Sequence, residues 1–304
     1  MKRSTVLVIV IALIGMPALL AAVEAIAYYE ANRSTNTLVS SGSTREYTLH
    51  VPPQYDGSTP MALVISMHGA GMWPAAQQDA SQWNRVADRE GFIVAYPMGL
   101  GGNGPRIWEV TAGPSYRTDV TFIGDLIDEL SRSYKIDPRR IYADGFSNGG
   151  GMSFVLSCTM SDRIAAVGLV DAALTLPWNW CKDDRPIPMI AFHGTSGDAA
   201  PYTGGSSWVS LGRRIFQNVP EFVASWARRN HCAPTAVESA FAADVTRIAY
   251  QDCGETPVVL YRIEGGGHTW PGGGHIAKWF VGVTNRNIDA SSLMWEFYKD
   301  HPLR

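Results

Sequence analysis

Ile141-Tyr142-Ala143-Asp144-Gly145-Phe146-Ser147-Asn148-Gly149-Gly150-Gly151-Met152-Ser153-Phe154-Val155-Leu156 is the stretch that decides the fold. A short apolar run leads into a serine with a glycine two residues to either side, and an apolar run leads out, so it reads as strand, sharp turn and helix. A serine at the tip of such a turn takes a strained backbone that only small neighbours tolerate. Gly145 and Gly149 let strand and helix pass close to one another. The Ser147 hydroxyl is thereby pushed out of the sheet. The Asn148 amide, at the positive end of the helix, faces the place where an oxyanion would form. A glycine-rich crossover and a phosphate cradle are the rival readings. The second lacks both the lysine of a P-loop and the G-x-G-x-x-G spacing of a dinucleotide site.

Outward from this turn the chain alternates. Arg45 to Val51 reads as an early or edge strand ending at Pro52-Pro53, and Ala62 to Met67 and Phe92 to Tyr96 as strands buried on both faces. Ala165 to Val170, Met189 to Phe192 and Val258 to Ile263 continue the series. Gln77 to Glu90, Asp119 to Tyr134, Val219 to Arg229 and Ile288 to Tyr298 read as helices, the second with Thr118 or Asp119 as its cap. Strands alternating with helices predict an α/β fold with a mostly parallel sheet covered on both faces. Functional residues then belong in the loops at the carboxyl ends of the strands, where the glycine-rich segments fall.

A serine hydroxyl needs a base, and the base needs a carboxylate to orient and balance it. Among seven histidines, His268 sits in Gly265-Gly266-Gly267-His268-Thr269-Trp270-Pro271-Gly272 directly after the last strand, where a glycine loop can return imidazole over Ser147. His275 is the fallback. His68 and His193, each preceding glycine after a buried strand, read as loop-shaping residues. Asp198, in the loop after the Met189 strand, is the expected acid, with Asp171, one strand earlier, as the alternative.

The composition is that of a globular chain: 304 residues, 46% hydrophobic and 17% charged, with a formal net charge of -3. It offers no broad basic surface, which argues against a nucleic-acid partner. Lys2 and Arg3 precede an apolar run from Val6 to Val23, and Ala25-Ile26-Ala27 offers a cleavage site, so residues 1–27 read as an export signal, with an uncleaved membrane anchor as the rival reading, and 28–43 as a polar linker. Residues 44–304 then form one catalytic domain, secreted or periplasmic, with no stable membrane association after cleavage, and a monomer is expected. Four cysteines in an exported chain predict two disulfides. Three connectivities are possible. Cys158 with Cys181 and Cys232 with Cys253 is favoured because each pair flanks one αβ or loop unit. No C-x-x-C spacing supports a metal site.

The Asp137 to Met152 segment, Phe192-His193-Gly194-Thr195, Pro201-Tyr202 and the Gly-Gly-Gly-His268-Thr-Trp-Pro-Gly run resemble the polyhydroxybutyrate depolymerase and feruloyl esterase group of secreted α/β-hydrolases. The resemblance covers residue 44 to the end. It implies the α/β-hydrolase fold, a Ser147, Asp198, His268 triad, an oxyanion hole from the amides of Asn148 and Ala70, a Cys158 to Cys181 link and no cofactor. It also implies hydrolysis of carboxylic esters, polymer-linked ones included. One departure stands out: the family's aspartate comes four residues after the histidine of His-Gly-Thr, where this chain has Gly197, with Asp198 next. A one-residue shift of the loop that presents Asp198 is the expectation, since a lost acid would leave imidazolium unbalanced.

Trp73, Trp108 and Trp270, in strand-end loops, are expected to hold an aromatic, sugar or polyester group. The gap between Tyr202 and Arg229 is too short for a lid domain. A serine peptidase would use the same triad and is disfavoured by the resemblance alone. A catalytically weak homologue follows if Asp198 cannot reach His268.

Overall fold

The computed structural model describes residue 34 and residues 36–100, 106–207, 215–274 and 281–304. The expected export signal and His275 lie outside them. Twelve strands are described: β1 Asn36–Ser40, β2 Ser43–His50, β3 Met61–Met67, β4 Ile93–Pro97, β5 Ile136–Phe146, β6 Ala166–Val170, β7 Met189–Gly194, β8 Gly205–Ser206, β9 Ile215–Phe216, β10 Ala236–Ala242, β11 Val245–Tyr250 and β12 Val258–Ile263. The helices are α1 Pro74–Ser81, α2 Trp83–Glu90, α3 Tyr116–Ser133, α4 Asn148–Ser157, α5 Val219–Arg229 and α6 Ala290–Lys299.

Ten strands form one sheet in the order β1-β2-β4-β3-β5-β6-β7-β12-β11-β10. The middle six, from β4 to β12, are parallel, and antiparallel strands flank them on both sides. Period-two alternation sends the two sets of side chains to opposite faces. Leu63, Ile65 and Met67 of β3 and Val167 and Leu169 of β6 pack with α3, α4 and α5 through Phe122, Leu126, Phe154, Phe222 and Trp226. Ala62, Val64, Ala166 and Val170 face α2 and α6 through Trp83, Val86, Met294 and Tyr298. The result is a three-layer α/β/α arrangement, as expected for the α/β-hydrolase fold.

Three local expectations are corrected. Residues 36–40, read as linker, form edge strand β1, because Ser41 and Gly42 both take positive φ (49° and 76°) and close a two-residue hairpin onto β2. The single helix expected over 77–90 is two, broken at Gln82, whose φ of 57° is left-handed. Asp119 does not cap its helix, which begins at Tyr116. Its buried carboxylate instead pairs with Arg45 at 2.7 Å and accepts a bond from the Glu109 amide, tying β2 to the segment before α3. The β10–β11 hairpin had no counterpart in the sequence reading.

Both expected disulfides form, Cys158 to Cys181 and Cys232 to Cys253. The first ties the end of α4 to the 3-10 turn Trp178–Trp180, and the second ties the end of α5 to the β11–β12 connection. One carboxylate is buried inside the sheet itself: Asp144 of β5 accepts from Ser66 Oγ at 2.7 Å, and burial raises its pKa to about 7. Gln77 of α1 donates to Ser66 Oγ at 2.9 Å, so α1 hangs on the same polar chain.

Candidate active site

The turn between β5 and α4 is built as its glycines require. Ser147 takes φ 53° and ψ -115°, its amide donates to Val170 O at 2.9 Å, and its carbonyl accepts from Gly151 N and Ala173 N. A Cβ on residue 145 would lie 2.2 Å from Gly149 C, and one on residue 149 would lie 2.1 Å from Met67 O. No side chain other than hydrogen fits at either place. Ser147 is half-buried, whereas every neighbour from Tyr142 to Leu156 is buried, so the strained turn presents its hydroxyl to solvent.

The loop after β3 lies against this serine. Gly69 passes so near that a Cβ on it would be 3.4 Å from Ser147 Cβ. His68 holds the loop rigidly: its Nδ1 donates to Gly69 O at 2.7 Å and its Nε2 accepts from Gly99 N at 3.0 Å. Complete burial lowers the His68 pKa to about 4, so it stays neutral. Gly71 N bonds Arg106 O and Met72 N bonds Gly69 O, which pins the backbone on the far side of Ala70 as well. Asn148 contributes more than an amide. Its side chain brackets the backbone of Trp108, accepting from Trp108 N at 2.7 Å and donating to Trp108 O at 3.1 Å.

Trp108 and Trp270 do not line a cleft, which corrects the sequence reading. They are 0% and 1% exposed, and each indole N–H is used inside the protein, by His68 O and by Ser291 Oγ. Large apolar rings with a satisfied N–H bury more favourably than they would stand in water, and both act as posts under the site loops. Trp73 is half-buried beside the Ala70 loop, with the Arg106 guanidinium 4.8 Å from its ring.

His268 comes to the elbow from the loop after β12, three strands along the sheet from β5. Its ring centre is 4.8 Å from that of Phe146, the residue preceding Ser147, and the side chain is 5% exposed. Its amide donates to Val281 O and that of Gly267 to Val283 O, so the loop after β12 is pinned by the segment that follows. Burial, with a smaller contribution from His193, lowers the His268 pKa to about 3, which leaves an unprotonated imidazole ready to accept a proton. His193 shapes its loop as expected, with Nε2 donating to Ala200 O at 2.8 Å.

Asp198 is not brought to His268. Its side chain is exposed, its carbonyl accepts from Ser207 Oγ at 2.8 Å, and His268 Nδ1 is buried with no hydrogen-bond partner among the described residues. The residue whose Cβ would face the histidine is Gly197, where a Cβ would lie 3.1 Å from His268 N. The expected one-residue shift of the loop therefore does not occur. Asp171, the alternative acid, is 1% exposed at the end of β6.

Residues 45–175 match the family model "Esterase PHB depolymerase". Feruloyl esterase B of Piromyces equi is 32% identical over 233 residues, 74% of this chain and 42% of that protein, so the chain spans less than half of this relative. Feruloyl esterase D of Neurospora crassa is 27% identical over 250 residues, covering 78% of each. Among solved structures, the acetyl xylan esterase from Aspergillus awamori matches with a TM-score of 0.62 at 15% identity, over 87% of this chain and 98% of that one, a likeness of fold. With an α/β-hydrolase fold like that of this structure and with these relatives in sequence, the chain is similar to the polyhydroxybutyrate depolymerase and feruloyl esterase group of ester hydrolases.

Proposed function

We propose that the protein is a secreted serine esterase that hydrolyses carboxylic esters through an acyl-enzyme. The observation that carries this reading is the strained Ser147 backbone at the β5–α4 turn, φ 53° and ψ -115°, with His268 packed against the preceding residue. Such strain persists only where the surroundings enforce it, and here it turns Ser147 outward while a buried neutral imidazole packs against Phe146, the residue before it.

His268 Nε2 takes the Ser147 proton as Oγ attacks the ester carbonyl. The amides of Asn148 and Ala70 receive the oxyanion of the tetrahedral intermediate, which collapses as His268 protonates the departing alcohol. Water, deprotonated by the same imidazole, then attacks the acyl-serine and releases the acid. No step calls for a metal or organic cofactor.

The names of the relatives support a feruloyl or acetyl ester carried on a polysaccharide as the substrate class, and the family model supports a hydroxyalkanoate polyester as the competing reading. Between β7 and α5 the described residues contain only the short β8–β9 hairpin. Of the three tryptophans expected to hold a substrate group, Trp73 is the one that is partly exposed. The two disulfides and the N-terminal export pattern support secretion. Initial rates on methyl ferulate, acetylated xylan, hydroxybutyrate oligomers and a peptide p-nitroanilide test the reading. Turnover of the ferulate or xylan ester at least tenfold above the oligomers is expected. Faster cleavage of the anilide than of every ester would replace an esterase by a peptidase.

A further inference from the structure

We propose that Asp171, at the end of β6, is the carboxylate that orients and balances His268, so that the acid sits one strand away from the Asp198 position. The inference rests on the serine esterase reading and deepens it. Two buried groups lack what each could give the other. His268 Nδ1 has no hydrogen-bond partner, and Asp171 has no lysine or arginine partner among the described residues.

The two are already joined through the backbone. Asp171 Oδ2 accepts from the amide of Thr269, the residue after His268, at 3.1 Å, and Oδ1 accepts from Gly194 N at 3.0 Å. The carboxylate thus clamps the ends of β6 and β7 to the histidine loop. The titratable group facing it is His193, whose Nε2 is 3.6 Å from Oδ1 but donates to Ala200 O and is held neutral, its pKa lowered to about 4 by burial. His193 therefore supplies no positive charge to Asp171. Burial raises the Asp171 pKa and the two amide bonds oppose it. Each carboxylate oxygen keeps a second acceptor site, and the assignment requires the imidazole to turn so that Nδ1–H meets Oδ2.

The backbone supports a site rather than a random turn. Asp171 has φ 41°, in the left-handed region that a β-strand end does not need and a non-glycine residue adopts at a cost. Asp198, by contrast, lies in solvent, where it would act on imidazolium only through a screened field. The chemistry balances simply. When Ser147 gives its proton to Nε2, the Nδ1 proton stays on imidazole and is donated in a hydrogen bond to Asp171, which remains ionised and offsets the new charge.

Steady-state kinetics on p-nitrophenyl butyrate with wild type, Asp171→Asn and Asp198→Asn test the assignment, each variant checked for folding by its thermal midpoint. Asp171→Asn is expected to lose ~10³–10⁴ in kcat with KM within about threefold, the split that marks a group acting in the transition state. Asp198→Asn is expected to keep both parameters within about threefold. A thousandfold loss of kcat in Asp198→Asn, or more than a tenth of wild-type kcat in folded Asp171→Asn, overturns the proposal. If Asp171→Asn does not fold, Asp198→Asn decides alone: wild-type kcat supports the assignment and a thousandfold loss refutes it. A wild-type chain that cleaves no ester would bring down the esterase reading as well. An active wild type with the loss in Asp198→Asn would bring down the Asp171 assignment alone.

Discussion

Ser147→Ala is expected to lower kcat on p-nitrophenyl butyrate by about 10⁵–10⁶, with the thermal midpoint moved by no more than about 2 °C. The size follows from removing the atom that forms the acyl bond, which leaves only the oxyanion donors and substrate binding to act on water. Stability should hardly change. The Ser147 side chain makes no capping bond to α4, and the contacts that enforce the turn are those of its backbone with Val170, Gly151 and Ala173. Alanine meets the same torsional cost at φ 53° as serine does. A variant keeping more than about a hundredth of wild-type kcat would show that the hydroxyl is not the nucleophile.

Gly149→Ala is expected to cost more than about 3 kcal/mol of folding free energy, or to prevent accumulation of folded protein. Its Cβ would stand 2.1 Å from Met67 O, 2.6 Å from Met67 C and 2.7 Å from His68 O. These are backbone atoms at the end of β3, buried in the middle of the sheet, and cannot swing away as a flexible side chain could. Relief requires α4 to lift off β3, which separates Ser147 from the Ala70 loop, so any folded fraction should also be a poor catalyst. Gly113→Ala is the control, because a Cβ there meets nothing within 4 Å. Chemical denaturation of the two variants should differ by several-fold in their loss of stability. A Gly149→Ala variant within about 0.5 kcal/mol of wild type would mean that strand and helix are not held in this close contact.

The elbow was legible because it is local: two glycines, one serine and the change from strand to helix lie within a few residues. The parallel centre was legible for the same reason, since strands buried on both faces show as unbroken apolar runs. The edges were not. β10 is exposed along most of its length and reads as polar chain with scattered apolar residues, and β1 is five residues long. Burial of Trp108 and Trp270 was likewise invisible, because a tryptophan in a loop looks the same whether its ring faces a cleft or supports one.

His68 and Asn148 were read as a loop histidine and an amide donor, yet their side chains fix the position of the Ala70 loop and of Trp108. That is a property of contacts across 31 and 40 residues, which no spacing in the sequence reports. The proposed acid was hard to choose from the sequence for a related reason. Order along the chain favours the loop after β7, but burial and contact with the Thr269 amide favour Asp171. The signal that could have redirected it was present in the sequence: glycine at 197, where a carboxylate was expected, beside an aspartate directly after the β6 run.

The most direct measurement is labelling by a fluorophosphonate probe, with the modified residue located by mass spectrometry in wild type and in His268→Ala. An alkoxide made nucleophilic by a neighbouring imidazole reacts; an ordinary surface hydroxyl does not. The account predicts one phosphonylated residue, Ser147, and labelling at least a hundredfold slower without the imidazole. An unlabelled Ser147 in folded wild type, or labelling at an undiminished rate in His268→Ala, would contradict it.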